Sequence, residues 1–169
     1  MKIIGALIIV VSSSWIGFLI AREFNLRPIQ LREVQTALQM LETEISYGVV
    51  PLPEAFGRLA ENLSKPVSEI FIIAQKRLKE GATANDAWRE AVKLTYEDTA
   101  LISADRKVLL DLGYNLGQSD ADDQLKYLKL TRDKINSLYQ RALTQREEKV
   151  KMWRYLGVLT GLVVVILVC

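Results

Sequence analysis

Residues 28–48 read PIQLREVQTALQMLETEISYG, and this stretch decides the fold class. Leu31, Val34, Leu38, Leu41 and Ile45 recur every three or four positions. That period gathers them on one face of an amphipathic α-helix. Pro28 suits the first turn, where its missing N–H would have no partner anyway. Gly48, after Tyr47, suits the left-handed cap that ends many helices.

The same grammar repeats toward the C-terminus. Pro51 and Pro53 open a short helix through Phe56, Leu59 and Leu63. Ser64-Lys65-Pro66 restarts the pattern, and Val67, Ile70, Phe71, Ala74 and Leu78 line one face until Gly81. Thr83 or Asn85 can cap the next helix, which carries Ala87, Trp88, Ala91, Val92 and Leu94. A fifth helix is predicted from about Asp98 to Leu112, with Leu101, Ala104, Val108 and Leu112 inward, broken by Gly113 and Gly117. Ser119 with Asp122 makes a capping box, and Asp120 to Asp123 complement the positive end of a helix dipole. The last helix runs through Leu128, Ile135, Leu138 and Ala142. Its stripe turns polar at Gln145 and Lys149, and it is read as continuing into the apolar C-terminus. No four residues alternate as a strand would. The expected fold is therefore all-α: a compact, bundle-like domain of six short-looped helices.

Outside this domain the chemistry changes. All 20 acidic residues, and every Lys or Arg except Lys2, lie within 22–154. Ile3 to Ala21 reads IIGALIIVVSSSWIGFLIA; its 19 residues span about 29 Å as a helix, close to one hydrocarbon thickness. No small-x-small cleavage site closes the segment; Arg22, Arg27 and Arg32 follow instead, as a retained anchor requires. Leu156 to Cys169 reads LGVLTGLVVVILVC, about 21 Å long, or about 27 Å if the helix is counted from Met152. Trp153 and Tyr155 then suit the interface, with Arg154 snorkelling. The expected organisation is a transmembrane helix at 1–21, a helical domain at 22–154 ending in a long helix, and a transmembrane helix at 155–169. Basic residues flank the domain side of both anchors: Arg22, Arg27 and Arg32, then Arg141, Arg146, Lys149, Lys151 and Arg154. The positive-inside rule then puts the domain in the cytoplasm and both termini outside.

Composition argues against chemistry. The sequence has no His and one Cys, Cys169, so a disulfide framework or Cys zinc site within one chain is excluded. Acylation of Cys169 stays open. The near balance of charge gives no footing for nucleic acid, and no P-loop or dinucleotide fingerprint appears. Asp120, Asp122 and Asp123 lack the Gly and distant Glu of an EF-hand and read as helix capping. Glu42 and Glu44 are two apart and do not share a helix face, so they make a poor catalytic pair. Asp105, Arg106 and Lys107 read as a solvated surface. No catalytic, cofactor or metal residue is assigned, and no small-molecule substrate is expected. Gly113 to Gly117 reads as a turn. Gly157 and Gly161, at the same spacing inside an apolar helix, are candidates for close helix packing in the membrane.

Several strings together resemble the stage III sporulation protein AB family of endospore-forming bacteria. They are Leu41-Glu42-Thr43-Glu44-Ile45-Ser46-Tyr47-Gly48, Pro51-Leu52-Pro53-Glu54-Ala55-Phe56, Asp111-Leu112-Gly113-Tyr114-Asn115-Leu116-Gly117-Gln118-Ser119-Asp120, and the anchor after Tyr155-Leu156-Gly157. Gly48 through Phe56 and Leu78 through Trp88 are also similar to the cytoplasmic helical domain of type II secretion and type IV pilus platform (GspF-like) proteins. The resemblance implies a scaffold subunit, not an enzyme, in a secretion-like channel complex between mother cell and forespore. It implies a mother-cell membrane location and docking of a cytoplasmic ATPase, the sporulation AA protein. A membrane-anchored adaptor or receptor in signalling is the alternative use of such a bundle. The docking face, homo-oligomerisation and packing of the two anchors stay open.

Overall fold

A computed structural model describes the backbone at 2–47, 50–116 and 121–168. It describes side-chain surroundings at 15, 24–47, 50–116, 122–152, 155, 156 and 159. The elements are α1 (Lys2–Tyr47), α2 (Leu52–Glu61), α3 (Val67–Lys79), α4 (Ala84–Thr95), a single 3₁₀ turn (Tyr96–Asp98), α5 (Ser103–Gly113) and α6 (Ala121–Val168). The described residues are thus all-helical, with six α-helices and no strand. Two compact units form. One is Ile29–Gln140; the other combines Met1–Pro28 with Arg141–Cys169.

Within 29–140 the predicted stripes supply the core. Leu31, Val34, Ala37, Leu38 and Leu41 of α1 are buried, as are Leu128, Thr131 and Ile135 of α6. The intervening helices pack in chain order, α2 on α3, α3 on α4 and α4 on α5. At their centre Phe56, Phe71 and Trp88, one from each of α2, α3 and α4, form an aromatic triangle. Its ring centroids are 5.7, 5.8 and 5.4 Å apart, in edge-on and tilted arrangements. Such pairs add about 0.5–1.5 kcal/mol each beyond the apolar area they bury. Buried Gln30 of α1 accepts the N–H of Ala100 at 2.8 Å, which ties the segment before α5 to the long helix.

Local signals set the helix ends. Gly81 has φ +93°, and Ala82 N–H donates to Arg77 C=O while Gly81 N–H donates to Leu78 C=O. This is the Schellman closure of α3, which requires the left-handed residue that glycine supplies. Of the two candidate caps for α4, Thr83 is the one used: its Oγ accepts the Asp86 N–H at 3.1 Å.

Three expectations need correction. Pro28 lies inside α1, not at a helix start, because the chain is already helical from Lys2. A proline there removes one backbone hydrogen bond, and the division between the two compact units falls directly after it. The fifth helix begins at Ser103, not Asp98, because the 3₁₀ turn and an extended Thr99 intervene. Its inward face is consequently Leu101, Asp105, Leu109 and Leu112, with Ala104 exposed and Val108 half-buried. Leu94 is exposed, because Thr95 takes the next inward position after Ala91 and Val92.

Among the described residues no helix is long and apolar enough to cross a membrane. Of the expected flanking transmembrane helices at 1–21 and 155–169, the described residues 2–21 and 155–168 are α-helical in backbone, as parts of α1 and α6, but they are not supported as spans. Their side chains fall for the most part outside the described residues, Gly157 and Gly161 included. Gly48, Gly117, Ser119 and Asp120, and with them the expected capping box of α6, also lie outside.

Candidate functional site

The residues with any chemical potential are used structurally. Glu42 and Glu44 diverge, as their spacing demands. Glu42 accepts from Arg132 Nη1 at 2.9 Å and stands 3.7 Å from Lys129 Nζ, so it joins α1 to α6. Glu44 faces Arg58 of α2 at 3.7 Å. Asp105 is not part of a solvated surface. It is fully buried, and its carboxylate accepts the N–H of Ile102 at 3.0 Å, capping the start of α5. Arg106 lies over the Tyr96 ring, 4.6 Å from its centroid. Asp122 and Asp123 are exposed in the first turn of α6. Among the described residues no group of three or more His, Cys, Asp or Glu side chains is placed to hold a metal ion.

Trp88 is a core residue, with its Nε1–H donating to the buried C=O of Leu109 at 2.6 Å. Gly113 is pressed against it; a Cβ there would stand 2.8 Å from Trp88 Cδ1. Gly113 is thus a close-packing glycine as well as the end of α5.

What the surface offers is contact area. A polar groove between the last turns of α1 and the N-terminal part of α6 is lined by Gln39, Glu42, Thr43, Ser46, Tyr47 and Arg132. Tyr47 on its rim is 76% exposed. On another face Arg89 of α4 stacks on exposed Tyr114, 5.3 Å from the ring centroid. Arg77 of α3 pairs with Glu80 at 2.9 Å and with Glu90 of α4. The hydrogen bonds that Arg77 donates, to Glu80 first and then to Glu90, raise its already high pKa.

In the other unit, Arg27 Nη1 donates to Gln145 Oε1 at 2.7 Å and Arg146 Nε donates to Asn25 Oδ1 at 2.8 Å. The pairing of 25 with 146 and 27 with 145 makes the two helices antiparallel there. Beyond this polar layer, Met152, Tyr155, Leu156 and Leu159 are 40, 70, 45 and 56% exposed. Their spacing places them on one helix face. Sequence reasoning put Trp153 and Tyr155 at an interface and did not single out this face.

Comparison with known proteins agrees along the whole chain. The family model for stage III sporulation protein AB matches residues 2–169. The stage III sporulation protein AB of Bacillus subtilis (strain 168) is 34% identical over 168 residues, covering 99% of this chain and 98% of the relative. A solved structure titled stage III sporulation protein AB superposes with a TM-score of 0.70 at 32% identity, covering 73% of this chain and 98% of that one. The full-length family match, a relative of the same length and a shared helical architecture lead to one assignment: this chain belongs to the stage III sporulation protein AB family.

Proposed function

We propose that the chain is a non-catalytic platform subunit of a membrane complex required for endospore formation, and that its helical domain docks a cytoplasmic ATPase. The carrying observation is how charge is distributed along the two long helices. The parts of α1 and α6 that line the 29–140 core carry charged residues, whereas 3–21 and 156–168, at the other ends of the same helices, carry none. A protein built this way holds a helical surface at a membrane and presents contacts instead of chemistry. In this reading α1 and α6 insert as a two-pass anchor, the termini face away from the cytoplasm, and Gly157 and Gly161 permit close helix approach. Docking of an ATPase, the mother-cell membrane and a GspF-like role come from the family resemblance.

Two measurements test it. Ser103 is exposed at the start of α5, so in a Cys169→Ser background Ser103→Cys should resist an impermeant thiol reagent in intact cells. Ready labelling would reverse the orientation. Affinity capture from sporulating cells should recover the ATPase with other channel components. Recovery of a signalling partner alone would favour the adaptor reading instead.

A further inference from the structure

The exposed face of α6 at Met152, Tyr155, Leu156 and Leu159 has a specific chemical setting. Moving toward the C-terminus, the last acidic residue of the chain is Glu148. The remaining charged side chains, Lys149, Lys151 and Arg154, are all cationic, and 156–169 carries none. Lys149 and Lys151 are exposed. Lys149 lies three residues before Met152, and Lys151 lies four before Tyr155, so each stands about one turn below a member of the apolar face. Glu147 and Glu148 lie one or two residues before Lys149 and about one turn before Lys151, on the side away from the apolar end. The charges nearest the apolar face are therefore positive.

We infer that this face is covered by lipid, and that Lys149 and Lys151 bind the phosphate groups of anionic lipids at its edge. The inference rests on the proposed membrane anchoring and adds the chemistry of the surface. Charge complementarity selects the occupant. A second copy of the same face would bring Lys149 and Lys151 near their own counterparts, and like charges repel. An anionic lipid leaflet supplies acyl chains for the four apolar residues and, about one helical turn away at the headgroup level, phosphate for the two lysines. Lysine stems run along apolar surface and deliver the ammonium to the headgroup level, where each cation near an anionic surface favours binding about fivefold.

The test uses the full chain with Trp15→Phe and Cys169→Ser, reconstituted in vesicles. Quenching of tryptophan emission by brominated phosphatidylglycerol is compared with quenching by brominated phosphatidylcholine. The expected result is a preference for the anionic lipid that falls about fivefold in Lys149→Gln and Lys151→Gln singly, and vanishes in the double variant. High salt should reduce it in the same way. Equal quenching by both lipids in the unsubstituted chain would overturn the lysine assignment while leaving anchoring intact. Failure of the chain to float with vesicles at all would instead overturn the anchoring. Rapid disulfide-linked dimers of Met152→Cys or Leu159→Cys in lipid would show that a second copy covers the face, and would overturn the lipid assignment.

Discussion

At the scale of single residues, Trp88 concentrates the stability of the domain. It closes the aromatic triangle with Phe56 and Phe71, and it satisfies the carbonyl of Leu109. Trp88→Ala removes the rings' common partner and leaves a buried carbonyl without a donor. It should cost about 3–5 kcal/mol, read from the midpoint of denaturant unfolding. Trp88→Phe retains much of the packing and should cost distinctly less. Gly113 tests the same contact from the other side. Its backbone lies so close to Trp88 that Gly113→Ala must displace the indole. It should destabilise by about 1–3 kcal/mol, although alanine is the better helix former. An unchanged midpoint would mean that the indole shifts without cost. The sequence marked Trp88 as inward through its place in the α4 stripe. It read Gly113 only as a breaker, since a close approach between residues 25 positions apart has no local signature.

At the scale of elements, the two long helices carry the architecture. Each is hydrogen-bonded as one element, 46 residues in α1 and 48 in α6. The amphipathic part of α6 ends near Ala142, and the residues from Thr144 through Lys149 are exposed. That stretch is held by its own helical hydrogen bonds and by cross-links such as Arg146 to Asn25. Helix continuity there should matter more than side-chain identity. Glu147 is exposed, so Glu147→Ala should be nearly silent. Glu147→Pro costs about 3 kcal/mol or more in a helix interior. It should abolish sporulation in a complementation assay while the thermal unfolding of the 29–140 unit stays unchanged. Normal sporulation by the proline variant would mean the segment is only a tether. The phase of α5 shows where element-level reading fails. The spacing of 98–112 predicts Leu101, Ala104, Val108 and Leu112 inward, whereas Asp105 and Leu109 are buried in place of Ala104 and Val108. A charged residue at an inward position contradicts the hydrophobic pattern; accepting the Ile102 N–H is one of the contacts that offset its burial.

At the scale of the whole molecule, Ile29–Gln140 is a compact unit with its own core. A polypeptide of those residues should be helical by circular dichroism and unfold in a single cooperative transition. A gradual, non-cooperative loss of helix would mean that the outer segments are needed to hold α1 and α6 together. The cross-helix network of Glu42 with Arg132 and Lys129 lies inside this unit. It is partly exposed, so Glu42→Gln should lower stability by only about 1 kcal/mol or less.

The sequence by itself determined the helical class, the number of helices, most of their inward faces and the separation of charged middle from uncharged ends. These follow from local propensity, caps and a 3.6-residue period, all written within a few positions of one another. The tertiary structure alone decided that Pro28 sits inside a helix, that Asp105 is buried, that Glu42 reaches across to Arg132, and that Met152, Tyr155, Leu156 and Leu159 are exposed. Each of these depends on which distant segment lies alongside. The pairings of Asn25 with Arg146 and of Arg27 with Gln145 span 121 and 118 residues of chain, and no local pattern encodes contacts at that range.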